Sequence, residues 1–194
     1  MKRILTVQDI SCVGRCSLTV ALPILSVMGL ETAILPTAVL STHTQFTGFT
    51  FRDLTDDLSD IAAHWKKENL DFEAVYTGYL GSARQISFVS SLFEEYAKGG
   101  CTSIVDPVMG DNGKLYTGFD EKFASEMALL CQKADYILPN RTEAAYMLKE
   151  EYKAEGYTEK EIQDVLRRLC GLGAKTAVLT GVSLHEKELG VMAY

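Results

Sequence analysis

Short apolar runs alternate along the chain with amphipathic helical patterns. Six runs have the length and the aliphatic or β-branched character of buried strands: residues 4–7, 32–39, 74–77, 102–105, 136–138 and 177–179. Apolar residues at helical spacing fill most of the intervals between these runs. Because strands alternate with helices and hairpin signals are few, the pattern predicts a three-layer α/β/α fold with a mainly parallel sheet.

Local signals indicate where the helices begin and where the pattern is disturbed. The candidate caps are Asp53 or Thr55, Ser82 with Gln85, Asp120, and Thr158 with Glu161. Pro23 removes a hydrogen bond from the helix predicted over residues 18–28, so that helix should kink or begin late. Pro36 weakens the second strand or marks a bulge in it. A short helix is predicted from about Thr142, and residues 189–194 resemble the start of another strand.

Composition excludes several functional classes. The 194 residues are 47% hydrophobic and 23% charged, which is typical of a globular protein. A net charge of −7 argues against a nucleic-acid partner, which would need a basic surface. No apolar run reaches the ~20 residues that cross a bilayer, and the N-terminal segment becomes polar too early for a signal peptide. Five cysteines without a CxxC pair indicate reduced thiols, so a cytoplasmic protein without a membrane partner is expected.

Polar residues follow several of the predicted strands. In an open parallel sheet, ligands bind beyond the carboxyl ends of the strands. That rule selects Asp9, the loop 41–51, the segment 78–82, the segment 106–110, and Asn140 with Glu143. Two carboxylates that converge there would need a shared proton or cation, and Mg²⁺ prefers one or two carboxylates with waters and phosphates.

Each of these residues also has a purely structural interpretation. Asp106 precedes a proline and could simply start a turn, whereas Glu143 could simply face the positive end of a helix dipole. Tyr79 could belong to a tight turn, or it could pack on a flat ring beside glycines that allow close approach. Thr44 and Gln45 could be ordinary loop residues, or they could orient a heteroaromatic ligand.

Five motifs occur in order along the chain. They are Gln8-Asp9 with Gly14, Ser41-Thr42-His43-Thr44-Gln45-Phe46, Gly78-Tyr79-Leu80-Gly81-Ser82, Asp106-Pro107-Val108-Met109-Gly110, and Pro139-Asn140-Arg141-Thr142-Glu143. Together they resemble the pyridoxal/pyridoxamine (vitamin B6) kinases of the ribokinase-like superfamily, and the resemblance runs through essentially the whole chain. It implies an ATP-dependent enzyme that uses Mg²⁺ to phosphorylate the 5′-hydroxymethyl group of pyridoxal, pyridoxine or pyridoxamine.

The resemblance also implies roles by position. Thr44 and Gln45 match residues that line the pyridoxal pocket, and Tyr79 matches the aromatic residue beside the pyridine ring. Asp106 and Glu143 match carboxylates near Mg²⁺ and the ATP phosphates, with Asn140 in the same motif. We therefore expect Asp9, Thr44, Gln45 and Tyr79 to bind the substrate, Asp106, Asn140 and Glu143 to bind the cofactor, and Asp106 and Glu143 to bind the metal.

Two positions in the first loop depart from the family pattern or add to it. Asp9 stands where many family members have serine, and a carboxylate there could still bind a ring hydroxyl or nitrogen, which leaves the preferred vitamer open. Cys12 lies in the same loop, where a thiol could meet an aldehyde. Because exposed sheet edges tend to associate, a homodimer is also expected.

Family members usually continue for about another third, with a Gly-x-Gly-Asp segment that supplies the catalytic base. Residues 1–194 contain no such motif, so the sequence predicts a single ribokinase-like domain that is incomplete at its C-terminus. The base is then expected beyond Tyr194, and the 194-residue chain alone is expected to be inactive.

Three other interpretations compete with the B6 kinase. A hydroxymethylpyrimidine or hydroxymethylpyrimidine-phosphate kinase is favoured slightly by Asp9 and disfavoured by the motifs around Thr44 and Tyr79. A truncated, catalytically inactive B6-binding protein is the second alternative. A dinucleotide-binding oxidoreductase would need a GxGxxG segment after the first strand, which this sequence lacks.

Overall fold

The computed structural model of the protein describes residues 2–185 and 187–194. The chain forms two compact units, Met1–Ser103 and Ile104–Tyr194. Each unit combines strands with flanking helices. Within the described residues, no helix is both long enough and apolar enough to cross a membrane.

The first unit is built on a largely parallel group of strands. Its strands are β1 (Arg3–Ser11), β2 (Glu31–Leu40), β3 (Phe51–Asp53) and β4 (Ala74–Thr77). Its helices are α1 (Leu18–Val27), α2 (Leu58–Lys67) and α3 (Ala83–Tyr96), and a 3-10 turn at Ala97–Gly99 follows α3. The strand order is β4-β1-β2-β3. β1 is parallel to both β2 and β4, whereas β3 is antiparallel to β2.

A bulge interrupts the pairing of β1 with β2. Gln8 pairs with Pro36, but Ile10 pairs with Val39, so two residues of β2 lie opposite Asp9 alone. Because proline lacks the N–H that a regular ladder would use, the irregularity begins where the regular hydrogen-bond pattern cannot continue. The sequence prediction that Pro36 marks a bulge is therefore confirmed.

One helix start in the first unit differs from the sequence prediction, and another agrees with it. The cap expected at Asp53 or Thr55 is wrong, because α2 begins only after Asp57. Asp53 instead ends β3, and its carboxylate accepts the Thr55 N–H at 2.9 Å, which forms a tight turn before the helix. α1 begins at Leu18, as predicted, and Pro23 lies inside it. Of the two alternatives for Pro23, the late start is therefore wrong and the kink stays a prediction.

The second unit has a similar plan. Its strands are β5 (Thr102–Val105), which begins at the end of the first unit, β6 (Gly110–Asp111), β7 (Lys114–Leu115), β8 (Tyr136–Ile137), β9 (Thr176–Val182) and β10 (Gly190–Ala193). Its helices are α4 (Glu121–Cys131), α5 (Arg141–Leu148) and α6 (Glu159–Gly171). The order is β10-β9-β8-β5, with β10 antiparallel to β9 and the other neighbours parallel.

β6 and β7 form a small antiparallel hairpin that the sequence pattern did not predict. Asn112 and Gly113 both have positive φ, 50° and 77°, as the favoured two-residue hairpin turn requires. The helices α4 and α6 have the caps that the sequence predicted. The Asp120 carboxylate accepts the Phe123 N–H at 2.8 Å, and Thr158 forms a complete capping box with Glu161.

Aliphatic side chains from strands and helices form the core of each unit. In the first unit they include Leu5, Val7, Leu35, Val75 and Val89, all fully buried. In the second unit they include Val105, Met127, Ile137, Leu169 and Leu179, also fully buried. Burial of this apolar surface is the main favourable term that holds each unit together.

Candidate functional site

Asp9 lies inside β1 and not after it, so the sequence placement of this residue just beyond a strand is wrong. The strand continues to Ser11 because residues beyond Asp9 still pair with β2 across the bulge. Asp9 is only 3% exposed, and the Ser11 hydroxyl donates a hydrogen bond of 3.0 Å to its carboxylate. A buried carboxylate is costly unless donors satisfy it, so Asp9 is suited to accept a hydrogen bond from a ligand.

Tyr79 lies in the loop that follows β4, and its environment includes Asp9. The pKa of the Tyr79 phenol is raised, first by burial and then by the nearby negative charges of Asp9 and Asp53. Gly78 precedes it, and a Cβ at that position would lie 2.8 Å from the side-chain oxygen of Gln8. A side chain at position 78 would therefore displace the buried Gln8 side chain. The structure thus brings together two of the predicted ring-binding residues.

Gln85, which the sequence analysis noted only as a capping residue, connects three segments of the first unit. Ser82 accepts the Gln85 N–H as predicted, at 3.3 Å. The reciprocal half of the capping box is absent among the described hydrogen bonds, because the Gln85 side-chain oxygen accepts the Gly81 N–H instead, at 2.7 Å. The side-chain amide donates to the Thr37 carbonyl at 3.1 Å and to the Thr55 hydroxyl at 2.8 Å.

The loop between β2 and β3 carries Thr44 and Gln45, which are both exposed. His43 anchors this loop against Gly14: a Cβ on Gly14 would lie 2.5 Å from the imidazole Cδ2 atom. The Gln45 N–H donates to His43 Nδ1 at 3.4 Å. None of the described hydrogen bonds links Thr44 or Gln45 to Asp9, so their role in the ring pocket stays a prediction. Cys12 is exposed in the neighbouring loop.

In the second unit, Glu143 clamps the main chain around the loop after β5. Its carboxylate accepts the Met109 N–H at 3.0 Å and the Asn140 N–H at 2.8 Å, and the residue is 2% exposed. The Asn140 side chain accepts the Glu143 N–H at 3.0 Å and donates to the Gly110 carbonyl at 2.8 Å. Asn140 and Glu143 therefore form a complete capping box at the start of α5.

The sequence analysis recognised Glu143 as a first-turn acid but missed this capping box. The signal was present, since asparagine is a preferred N-cap and glutamate stands three residues later. What the spacing could not show is that the same carboxylate also binds the main chain of Met109, which lies 34 residues earlier.

Asp106, which is partly exposed, and the buried Glu143 form an acidic pair. Burial raises the pKa of Asp106 to about 6, although a hydrogen bond from the Val108 main chain opposes the shift. Burial also raises the pKa of Glu143 to about 7; hydrogen bonds from the Asn140, Met109 and Gly110 main chain oppose the shift, and the charge of Asp106 adds to it. A carboxyl group whose charge is disfavoured by burial and by a neighbouring carboxylate is a suitable environment for a cation.

The chemistry of this pair fits a magnesium ion that keeps most of its own waters. Both oxygens of Glu143 already accept main-chain hydrogen bonds, which leaves Asp106 as the better direct ligand. No group of three or more His, Cys, Asp or Glu side chains suited to a metal occurs in the described part of the chain. An all-protein cage is therefore not formed by these residues, but Mg²⁺ commonly binds through one or two carboxylates plus substrate phosphates.

A separate cavity of about 460 Å³ lies in the second unit beside α5 and α6. Its wall includes Arg141, whose guanidinium stacks on the Tyr157 ring at 3.7 Å from the ring centre. Ion pairs such as Lys153–Glu161, at 2.8 Å, occupy its charged rim. None of the predicted site residues is among the described residues that line this cavity.

Comparison with known proteins identifies the family. The family described as Phosphomethylpyrimidine kinase matches residues 26–193. The chain therefore belongs to the phosphomethylpyrimidine kinase family.

Several relatives are pyridoxal kinases or were crystallised with pyridoxal. A Bacteroides thetaiotaomicron protein, assigned as a phosphomethylpyrimidine kinase and crystallised with pyridoxal, is 48% identical, with a TM-score of 0.93 over 100% of this chain and 68% of its own. Pyridoxal kinase from Lactobacillus plantarum is 35% identical, with a TM-score of 0.88 over the same shares. Pyridoxal kinase of Dictyostelium discoideum is 27% identical over 93% of this chain and 60% of its own length.

These relatives confirm the resemblance to pyridoxal kinases that the sequence motifs indicated. They also confirm the mainly parallel α/β fold. The chain spans about 60% of the length of the Dictyostelium enzyme. The assignments of individual site residues stay predictions.

Proposed function

We propose that this protein is an ATP-dependent kinase that phosphorylates the 5′-hydroxymethyl group of a B6 vitamer. The observation that carries the proposal is the buried Asp9 carboxylate beside the half-buried Tyr79 ring in the first unit. A flat heteroaromatic ring with a polar nitrogen and hydroxyl would satisfy both groups at once. The pyridoxal kinase relatives and the pyridoxal-containing Bacteroides crystal support the same ligand.

In this proposal the first unit binds the vitamer. Asp9 accepts a hydrogen bond from the ring nitrogen or the ring hydroxyl. Tyr79 packs against the ring, and Thr44 and Gln45 close over it from the exposed loop. A carboxylate is a stronger acceptor than serine, so Asp9 favours a ring that carries a proton.

The second unit provides groups for the metal and the nucleotide. We assign Asp106 and Glu143 to Mg²⁺ and to the ATP phosphates, with Asn140 holding the loop that carries them. Bound Mg²⁺ would neutralise phosphate charge as the phosphoryl group moves, and phosphoryl transfer depends mainly on such positioning and charge stabilisation. None of these seven residues is proposed as the catalytic base, which we expect outside residues 1–194.

We further propose that residues 1–194 are part of one ribokinase-like domain. We also propose that the protein is cytoplasmic, because its proposed phosphate donor is ATP.

A homodimer is supported by α1, whose ten residues include no charged side chain. Val20, Ile24, Val27 and Met28 lie on one side of this helix and are 39%, 56%, 89% and 67% exposed. An apolar face of this kind commonly marks an interaction surface. Sedimentation of an Ile24→Glu variant tests the proposal, which requires a shift to monomer.

Phosphorylation of a hydroxymethylpyrimidine is the second candidate function. The family description names phosphomethylpyrimidine kinase, and a pyrimidine ring would also suit an acceptor such as Asp9. The two candidates differ in the ring and its substituents, so parallel measurements with both ligands separate them.

Calorimetric titration with pyridoxine and with 4-amino-5-hydroxymethyl-2-methylpyrimidine tests the assignment. We expect pyridoxine to bind more tightly, and Asp9→Asn to weaken it about tenfold or more, because a buried hydrogen bond to a charged acceptor is lost. Asp60→Asn, on the exposed side of α2, is the matched control and should leave affinity unchanged. Tighter binding of the pyrimidine would contradict the B6 assignment and favour the second candidate function.

A coupled assay for ADP release with Mg-ATP and each ligand tests the transfer step. The protein as it occurs in the cell should be used in this assay. If it binds pyridoxine but transfers no phosphoryl group to it, the kinase proposal is wrong and the protein is a B6-binding protein.

A further inference from the structure

Gln85 occupies a buried position at the centre of the first unit, next to the loop that carries Tyr79. It is 1% exposed, although it is a polar residue on the first turn of α3. Its side-chain amide could have closed an ordinary capping box with Ser82. Instead it reaches three other segments, and an amide that is buried at this depth is stable only when such partners satisfy it.

The hydrogen bonds of Gln85 use both ends of the amide. The oxygen accepts from Gly81 N–H at 2.7 Å. The nitrogen donates to the Thr37 carbonyl at 3.1 Å, to the Thr55 hydroxyl at 2.8 Å and to Asp53 at 3.3 Å. The contacts therefore join the loop after β4 to strand β2 and to the turn between β3 and α2.

Two of the residues that Gln85 binds, Gly81 and Thr37, are also neighbours of Tyr79. The Tyr79 ring lies beside Gly81, because a Cβ added there would be 3.4 Å from the ring atom Cε1 and 3.5 Å from the hydroxyl, at ordinary van der Waals distance. Thr37, whose carbonyl accepts from Gln85, donates its own hydroxyl to the Tyr79 carbonyl at 3.2 Å. Residues that Gln85 binds therefore form a hydrogen bond to the main chain of Tyr79 and lie beside its ring.

The chemistry at this position requires glutamine. Glutamate could still accept from Gly81, but it could not donate to Thr37 or Thr55, and its charge would face Asp53. Methionine has a similar length but would leave the Gly81 N–H and the Thr37 carbonyl without this partner.

We infer that Gln85 is a positioning residue that fixes the Tyr79 loop and thereby sets the affinity of the first unit for an aromatic ring ligand. The second half of this inference rests on the proposed function. The first half concerns the protein without ligand and can be measured independently.

The experiment combines ligand binding with NMR of tyrosine labelled with ¹³C at Cζ, in which Tyr79→Phe assigns the Tyr79 signal. The variants are Gln85→Glu, Gln85→Met and the milder Thr37→Val, which removes the hydroxyl bonded to Tyr79. Gln163→Met is the control, because Gln163 is on α6 and its amide donates to Glu159 at 3.0 Å.

We expect the Tyr79 signal to shift in all three test variants and its titration midpoint to fall toward that of a solvated phenol. The pyridoxine Kd should rise about tenfold, which corresponds to ~1.4 kcal/mol. Adding Asp53→Asn to Gln85→Glu should restore part of the affinity, because an amide at position 53 can donate to the new carboxylate. A residue needed only for general stability would not show this rescue.

An unchanged Tyr79 signal in well-folded Thr37→Val and Gln85→Glu proteins would overturn the inference. A shifted signal with unchanged pyridoxine Kd would overturn its affinity half. If the wild-type protein does not bind pyridoxine, the proposed function fails and the affinity half fails with it. The Tyr79 signal then still decides whether Gln85 positions the loop.

Discussion

Replacement of Gly113 by alanine tests the packing of the β6–β7 hairpin, which begins four residues after Asp106. Gly113 has a φ of 77°, and its N–H donates to the Thr142 hydroxyl at 2.9 Å. A Cβ added there would lie 2.6 Å from Cδ1 of the Tyr152 ring. A shift of that ring would disturb its contact with Arg141, whose guanidinium lies 5.5 Å from the ring centre.

Gly29 provides a matched control with almost the same φ angle as Gly113. Its φ is 79°, but a Cβ there meets no atom within 4 Å. Gly29→Ala therefore measures the conformational cost alone, about 1 kcal/mol once the reduced entropy of the unfolded chain is considered. Gly113→Ala adds overpacking against a ring, typically ~1–3 kcal/mol, so its total cost should be about 2–4 kcal/mol.

Urea denaturation monitored by far-UV circular dichroism measures both costs. The slope of free energy against urea should stay constant, so that midpoints can be compared. In a Tyr152→Ala background the ring is absent, and Gly113→Ala should then cost no more than Gly29→Ala. Equal costs for the two glycine variants in the wild-type background would refute the steric argument. Persistence of the extra cost without Tyr152 would refute the assignment to that ring.

Three further predictions concern the acidic pair. In metal-free protein, Asp106 should lower the unfolding free energy as pH rises from about 4 to about 6. Burial raises its pKa in the folded chain, so the folded chain holds the proton more tightly than the unfolded chain does. In urea titrations, the profile of the wild-type protein should therefore fall relative to that of Asp106→Asn over this pH range. Mg²⁺ should raise the melting temperature more at pH 8 than at pH 5, and Asp106→Asn should abolish the difference; an equal effect at both pH values would contradict an ionised carboxylate ligand. Glu143→Gln should accelerate amide hydrogen exchange at Met109 or at Asn140, because the two N–H groups bind different carboxylate oxygens and the amide keeps only one acceptor oxygen. Unchanged exchange at both residues would exclude the clamp.

The sequence predicted the regular elements well where the local signal was strong. The strands at residues 74–77 and 102–105 have the predicted bounds, and Asp120 and Thr158 cap their helices. These features depend on neighbours within a few residues, so the information is local. β10 lies where residues 189–194 were predicted to begin a strand, but its antiparallel pairing was not predicted. β3 and the β6–β7 hairpin were missed, because their pairing was not visible in the local pattern.

The candidate site shows the same division. The motifs selected Asp9, Tyr79, Asp106 and Glu143, and in each unit the structure brings the selected pair close enough to affect ionisation. The sequence did not reveal that Asp9 is inside a bulged strand, because strand length depends on pairing with β2.

What the sequence alone determined is the fold class, the family and the kinds of chemical group at the ends of the strands. These follow from local periodicity and from motifs in a fixed order. Only the tertiary structure showed that Glu143 binds the main chain of Met109. Only the structure also showed that Gln85 binds Thr37, which lies 48 residues earlier in the sequence, and so joins it to the Tyr79 loop. Such contacts join residues far apart in the chain, and a hydrogen bond is decided by distance and direction in space, which spacing along a sequence does not specify.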